Sequence, residues 1–289
     1  MKFRAKMVDP FAIRQFHNVL VSIAKLSKVC YLRLSKENFY FIADDCKLGG
    51  SSVWCELPYE SFFSEYVHEG VTNDEPEIYL EVCPGQLSFS LQLLKSSNSS
   101  VKCVKVKLTK KHHQPCLTFT IEMTPRNICA QVPDVKQCVQ DIPVIPVPRK
   151  DWHDIVEPTY EVTNNNFVSL IVTELKRMKH LADRYKNLGT YCRFEAFQNG
   201  ELEMELLSDR LTLNTHFKHL KVARNRGAII ESTDPITINI ELKRLALFFG
   251  ANTFGAKRAI VNFVDEKLMH IHFLTEDISL RFYIPSVQI

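Results

Sequence analysis

The chain of 289 residues is too long for one ordinary domain and fits two of about 140 each. Its 45% hydrophobic and 24% charged residues are enough to build a core in each half, and a net charge of +3 neither implies nor excludes a polyanionic partner, because the placement of the cations decides that. No run approaches the roughly 18 apolar residues of a membrane-spanning helix, and Met1-Lys2-Phe3-Arg4-Ala5-Lys6 lacks the apolar core of a signal peptide, so an intracellular chain is expected.

A strand over 2–8 comes first. Asp9-Pro10 then starts a helix over 11–28, since aspartate can accept the free amides of a first turn and proline at the first position loses no bond. Ile13, Phe16, Leu20, Ile23 and Ala24 recur at helical spacing, while Arg14, Asn18, Ser22 and Lys25 form an opposite face that is polar, positive and free of acid. Short strands at 30–34, 39–43, 53–57 and 78–82 follow, separated by turn formers such as Asp44-Asp45 and Gly49-Gly50. A second helix over 86–95 stops at the polar cluster 96–100, and strands follow at 101–108 and 117–123. From 127 to 148 the texture changes: Pro133, Pro143, Pro146 and Pro148 among small apolar residues read as an extended connector. Pro148-Arg149-Lys150-Asp151-Trp152 reads as a strand and a helical turn that open the second half.

A long helix over 167–185, stopped by Gly189, begins the next series. Strands at 191–197 and 201–206 are joined through Asn199-Gly200, a strong two-residue hairpin signal. Strands at 211–217 and 236–240, a short helix over 242–249 ending at Gly250, and strands at 259–264, 268–274 and 278–284 complete the order. Phe11 and Gln86 are 75 residues apart, as are Phe167 and Leu242. With the matching order of elements, this spacing predicts two structurally similar halves.

The nine cysteines contain no CxxC pair and lie scattered through apolar runs, as buried reduced thiols do. His112 and His113 with Cys116 have no second pair to complete a four-ligand zinc site. There is no Gly-rich phosphate loop, GxSxG, HExxH or catalytic-cysteine signature. His270 and His272 share one face of a strand, which metal sites can use, but alternation with Ile271 and Phe273 reads more simply as the exposed face of an outer strand. No metal, cofactor or catalytic residue is therefore assigned.

Six blocks carry a resemblance: Met1 to Lys6, Val53-Trp54-Cys55-Glu56-Leu57, Pro148-Arg149-Lys150-Asp151-Trp152, Leu175-Lys176-Arg177-Met178-Lys179, Thr215-His216-Phe217-Lys218 and Glu276-Asp277-Ile278-Ser279-Leu280. In order and across the chain they resemble the Hus subunit of the heterotrimeric DNA-damage checkpoint sliding clamp, the nine-one-one complex. The resemblance implies an α+β fold of two similar sliding-clamp (processivity-factor-like) domains, with helices lining a ring interior and antiparallel sheets outside. The expected division is 1–127, an interdomain connector over 128–141, and 142–289. The implied partners are a Rad-nine-like and a Rad-one-like subunit in a ring with one copy of each, duplex DNA held without sequence preference, and repair and checkpoint-signalling proteins. An ATP-dependent loader is implied as a separate protein, because this chain has no nucleotide motif. Nuclear location follows from such a role, with the cytoplasm as a second compartment; Lys110-Lys111 is too short for an import signal.

A lining of lysine and arginine attracts duplex phosphates without reading sequence, which suits a clamp that slides. The candidates are Arg14 and Lys25 on the first helix, Lys95 on the second, Lys176 and Lys179 on the third and Lys243 on the fourth. On the second helix a cation is expected near Gln92, and Lys95 lies almost a turn later. A basic helix surface is also commonly no more than a solvated face. Arg177, Arg184 and Lys186 lie off the stripe, and 219–234, with Lys221, Arg224 and Arg226, reads as a basic loop. For ring closure, edge strands are expected at 117–123 (Leu117, Phe119, Ile121) and 211–217 (Leu211, Leu213, Thr215), the alternative being that either is internal to its sheet. A partner-peptide groove is implied beside the connector at Ile128, Val132 and Val135 with Ile284 and Pro285. Rival readings are an enzyme, a homotrimeric replication clamp of the same fold, and an interaction scaffold that does not touch DNA.

Overall fold

The structure, a computed structural model, describes residues 1–44, 50–70, 72, 76–92, 99–125, 136–161, 166–208, 211–223 and 234–288. The chain divides into two compact units, residues 1–43 with 55–155 and residues 44–54 with 156–289.

The first series runs β1 (Lys2–Met7), α1 (Pro10–Leu26), β2 (Cys30–Leu34), β3 (Asn38–Asp44), β4 (Ser52–Pro58), the single turn α2 (Tyr59–Phe62), β5 (Glu65–Glu69), β6 (Ile78–Val82), α3 (Pro84–Ser90), β7 (Ser99–Lys111), β8 (Gln114–Pro125) and β9 (Lys136–Pro143). A two-residue strand, β10 (Ile145–Pro146), and a 3-10 turn at Arg149–Asp154 follow. The second series runs β11 (Phe167–Val172), α4 (Leu175–Tyr185), β12 (Tyr191–Ala196), β13 (Leu202–Leu207), β14 (Leu213–Phe217), β15 (Lys221–Val222), β16 (Ile236–Glu241), α5 (Leu242–Gly250), β17 (Ala259–Val264), β18 (Leu268–Leu274) and β19 (Ser279–Pro285).

Strand order makes the repeat explicit. In the first unit the neighbours are β5-β1-β7-β8-β9 and β6-β2-β3-β4; in the second they are β15-β11-β17-β18-β19 and β16-β12-β13-β14. Each strand of the first series therefore has a counterpart at the same place in the second, as α1 and α3 have in α4 and α5. In each unit the two helices pack beside one another, α1 with α3 and α4 with α5.

Alternation builds the cores. Phe3, Ala5 and Met7 of β1 are buried while Lys2 and Arg4 are exposed, as a period of two requires. Phe16 of α1 sits among Phe39, Phe41, Phe62 and Phe63, with ring centroids 5.7 to 6.3 Å apart. In the second unit Phe248 of α5 is stacked on Phe273 at 4.6 Å and Phe282 at 4.5 Å. Fully burying a ring of this kind contributes about 1.5–3 kcal/mol through water release.

Several expectations are corrected here. The helix expected over 167–185 is a strand and a helix: Phe167–Val172 forms β11, paired with β17 and β15, and α4 begins only at Leu175. A continuous aromatic and β-branched run fits a buried strand as well as a buried helix, and pairing on both sides decides for the strand. The equal spacing of 75 residues is lost with it, although the order of elements is kept. The second helix spans Pro84–Ser90 rather than 86–95. Ser22, expected on the open face of α1, is buried and donates its hydroxyl to the Asn18 carbonyl; α1 has α3 beside it as well as strands beneath it. The connector expected over 128–141 lies outside the described residues up to 135, and from Lys136 it is β9, hydrogen-bonded to β8. After β9 the described residues 144–161 lead out of the first series, and the boundary between the two compact units falls between 155 and 156. Within the first unit, β10 pairs with β6, the Val147 amide donates to the Tyr79 carbonyl, and Trp152 lies 4.7 Å from the Tyr79 ring while its indole N–H donates to the Val147 carbonyl.

Candidate nucleic-acid interface

The small net charge conceals a near-exclusion of acids from α1, α4 and α5. α1 is entered through Asp9, whose carboxylate oxygens each accept at 3.1 Å from the amides of Phe11 and Ala12, with Pro10 in the first turn. The helix carries no acid, and its two cations, Arg14 and Lys25, are both exposed. They are eleven residues apart, close to three full turns, so they share one side of the helix at a separation of about 16 Å.

α4 is the most basic helix. Lys176 and Lys179 are exposed at i and i+3, about 5–6 Å apart at their Cβ atoms. Their neighbours are occupied: Arg177 pairs with Glu174 at 3.0 Å and lies over the Phe217 ring, and Lys186 pairs with Asp183 at 2.6 Å. On α5 Lys243 is exposed, while Arg244 pairs with Glu241 at 2.7 Å. Across α1, α4 and α5 Asp183 is the sole carboxylate. α3 contributes no cation within its span; Gln92 is exposed just past it, and Lys95 lies outside the described residues.

The edges lie elsewhere than expected on one side. β8 is internal, paired with β7 and β9, and Leu117, Phe119 and Ile121 are core residues with 2% exposure or less. The edges of that sheet are β5 and β9, and on β9 Val139 is 55% exposed. Among the described residues β14 is an edge paired with β13; Leu213 on it and Leu211 before it are exposed, and the Thr215 hydroxyl is hydrogen-bonded to Tyr185 at 2.6 Å. Sequence reading missed β9 because it lies in a stretch punctuated by Pro133, Pro143, Pro146 and Pro148; the alternation of Cys138 and Gln140 with their neighbours was its signal.

Of the expected peptide-groove residues, Ile128, Val132 and Val135 lie outside the described residues. Ile284 is fully buried in β19, so it offers no surface, and Pro285 is half-buried at the strand end. The reading of His270 and His272 as an exposed strand face is corrected: β18 lies between β17 and β19, His270 is 7% exposed and His272 half-buried. His270 Nδ1 meets the Tyr160 hydroxyl at 2.8 Å and Asn262 Nδ2 at 3.0 Å, while Tyr283 donates to Glu157 at 2.7 Å and Arg281 pairs with Glu157 at 3.0 Å. These bonds hold residues 157–160 against β17, β18 and β19 within the second unit. His112 and His113 are exposed at the β7–β8 turn with positive φ (47° and 67°), and the buried Cys116 thiol donates to the Gln114 carbonyl, so the three do not converge. Among the described residues no group of three or more His, Cys, Asp or Glu could hold a metal ion. Cys30, Cys55, Cys103, Cys116 and Cys192 are buried free thiols, and burial pushes the Cys30 and Cys192 thiols well above their ordinary pKa.

The family model described as Hus1-like protein matches residues 1–288. The chain is 35% identical over 295 residues to the human checkpoint protein HUS1, covering 99% of this chain and all of that one. It is 26% identical over 290 residues to the Drosophila melanogaster checkpoint protein Hus1-like, covering 99% of each. In fold alone it is similar to the proliferating cellular nuclear antigen of Entamoeba histolytica, with a TM-score of 0.69, 14% identity and 99% of each chain covered.

Proposed function

The chain belongs to the Hus1-like protein family, and from that premise we propose that it forms a ring around duplex DNA with one Rad-nine-like and one Rad-one-like subunit. It is a subunit of a checkpoint sliding clamp and joins other clamp subunits. The observation that carries the DNA reading is the near-absence of acid from α1, α4 and α5, whose eight lysines and arginines stand against Asp183 as the sole carboxylate. Arg14, Lys25, Lys176, Lys179 and Lys243 would neutralise phosphates at intervals without fixing a sequence, which permits sliding. Lys95 is proposed as the contribution following α3.

Ring closure is proposed at β9 and β14, in place of the internal β8. An exposed edge offers unpaired backbone groups and, here, apolar side chains at Val139 and Leu213, and pairing with a neighbour's edge would cover both. The protein does no chemistry of its own. An ATP-dependent loader opens the ring, and the closed ring tethers repair and checkpoint-signalling proteins on chromosomal DNA in the nucleus. A homotrimeric replication clamp shares the fold, but the kinship in sequence runs to checkpoint proteins.

The test is topological. The ring of three subunits, loaded with its ATP-dependent loader on nicked circular DNA, should resist a high-salt wash and slide off once the circle is cut. Retention that is the same on circular and linear DNA would contradict encirclement.

A further inference from the structure

A cleft of about 810 Å³ opens in the second unit between the start of α4 and the loop that follows α5. Its volume falls within the ~300–1,000 Å³ range of sites that enclose a small ligand, and it cannot admit a duplex, whose major groove alone is about 12 Å wide. We propose that this cleft holds one unpaired nucleotide of the encircled DNA, an inference that rests on α4 facing DNA.

The lining divides by chemistry. Leu175, Phe249 and Ala256, each with 7% exposure or less, form an apolar floor suited to a base or sugar. Lys176, Lys179 and Lys257 stand exposed around it, and none is ion-paired among the described residues. Glu174 also lines the cleft, but its charge is met by Arg177 at 3.0 Å, which leaves the three ammonium groups as the net field. No side chain caps the start of α4, so the positive end of the helix adds to that field.

The cleft is built before anything enters it. Asn252 Nδ2 donates to the Ala256 carbonyl and its Oδ1 accepts from the Ala256 amide, both at 2.9 Å, which fixes the loop opposite α4. Gly255 turns that loop at φ +80°, a conformation that a side chain would strain. A paired nucleotide is stacked and would reach only the lysines, whereas an unpaired one can bring its phosphate to the rim and its flat face to the floor. A junction between single- and double-stranded DNA would thereby be retained at α4, while continuous duplex slides past.

The test uses the full chain at low ionic strength and fluorescence anisotropy with two probes: a blunt duplex, and the same duplex with a short single-stranded thymidine tail. The wild-type chain should favour the tailed probe several-fold. Thr173→Trp, which pushes a bulky ring into the cleft, and Lys257→Ala, which removes a rim charge, should each abolish that preference. Lys257→Ala should also lower the salt slope for the tailed probe by about 0.7, the share of one single-strand phosphate. Because Lys257 is exposed, its loss leaves the fold intact even where Thr173→Trp does not. Absence of the preference in the wild type, or its persistence in both variants, would overturn the cleft. So would a poly-glutamate peptide that binds through Lys257 when the thymidine tail does not. Lys176→Ala with Lys179→Ala separates the two readings. If this pair leaves blunt-duplex binding unchanged, α4 does not face DNA and the parent reading fails. If it weakens both probes while Lys257→Ala and Thr173→Trp keep the tail preference, the cleft alone fails.

Discussion

His270 shows what burial does to an ionisable side chain in this fold. Its ring lies flat on Tyr283 at 4.4 Å, and Asn262 Nδ2 donates to Nδ1, so the proton of the neutral ring sits on Nε2, which has no hydrogen-bond partner among the described residues. Burial first, then the charges of His272 and Arg281, pushes its pKa from 6.5 down to about 3. Burial and Arg281 push His272 from 6.5 down to about 4. The unfolded chain takes up these protons as pH falls below about 6.5, whereas the folded chain does so only near 3 to 4; acid therefore favours unfolding, and the stability present above pH 6.5 declines across that window. The thermal midpoint should fall accordingly on acidification. A double change of His270→Gln and His272→Gln should flatten that fall, even if it lowers the midpoint throughout. A wild-type midpoint that stays level between pH 6.5 and 4 would refute the assignment. Phe248 tests the core at the same scale: Phe248→Ala removes the ring stacked on both Phe273 and Phe282 and should cost about 3–5 kcal/mol in denaturant unfolding. Residues differ in how far sequence exposes them. Asp9 was legible because a helix cap is a local device, while Ser22 and His270 were not, because the elements that bury them are distant in sequence.

At the scale of elements, the same limit explains β11 and β9. An apolar run such as 167–172 carries no period that separates buried strand from buried helix, and the partners that decide, β15 and β17, come 50 or more residues later. β9 hid in a proline-punctuated stretch, and its own Pro143 stands at the strand end, where an edge strand tolerates it. β14 and β8 were both legible as strands; the edge role came for both from the family resemblance, and it fails for β8, whose second neighbour was read as linker. The proposed closure at β9 and β14 has a direct consequence. Val139→Lys and Leu213→Lys alter exposed edge positions, so each should leave unfolding free energy within about 0.5 kcal/mol of wild type. Each should nevertheless weaken assembly with one partner subunit in a pull-down. Loss of stability together with assembly would show these positions to be structural instead.

At the scale of the whole molecule, the repeat was readable from the order of elements, but its proof is the strand order: β5-β1-β7-β8-β9 and β15-β11-β17-β18-β19 are the same arrangement built twice. The two series show little in common as sequence, because a core asks for apolar residues at given places rather than for given residues. The cation-bearing faces were legible on α1, α4 and α5, since amphipathic helices announce their open side. Their meaning came from kinship, because a net charge of +3 is compatible with almost any partner. The central claim is that this chain is one of three unlike subunits. Native mass spectrometry of the purified chain, alone and after co-expression with Rad-nine-like and Rad-one-like subunits, tests it most directly. The expected result is a monomer alone and a complex with one copy of each subunit on co-expression; a stable homotrimer of this chain alone, or no association with the other two, would contradict it.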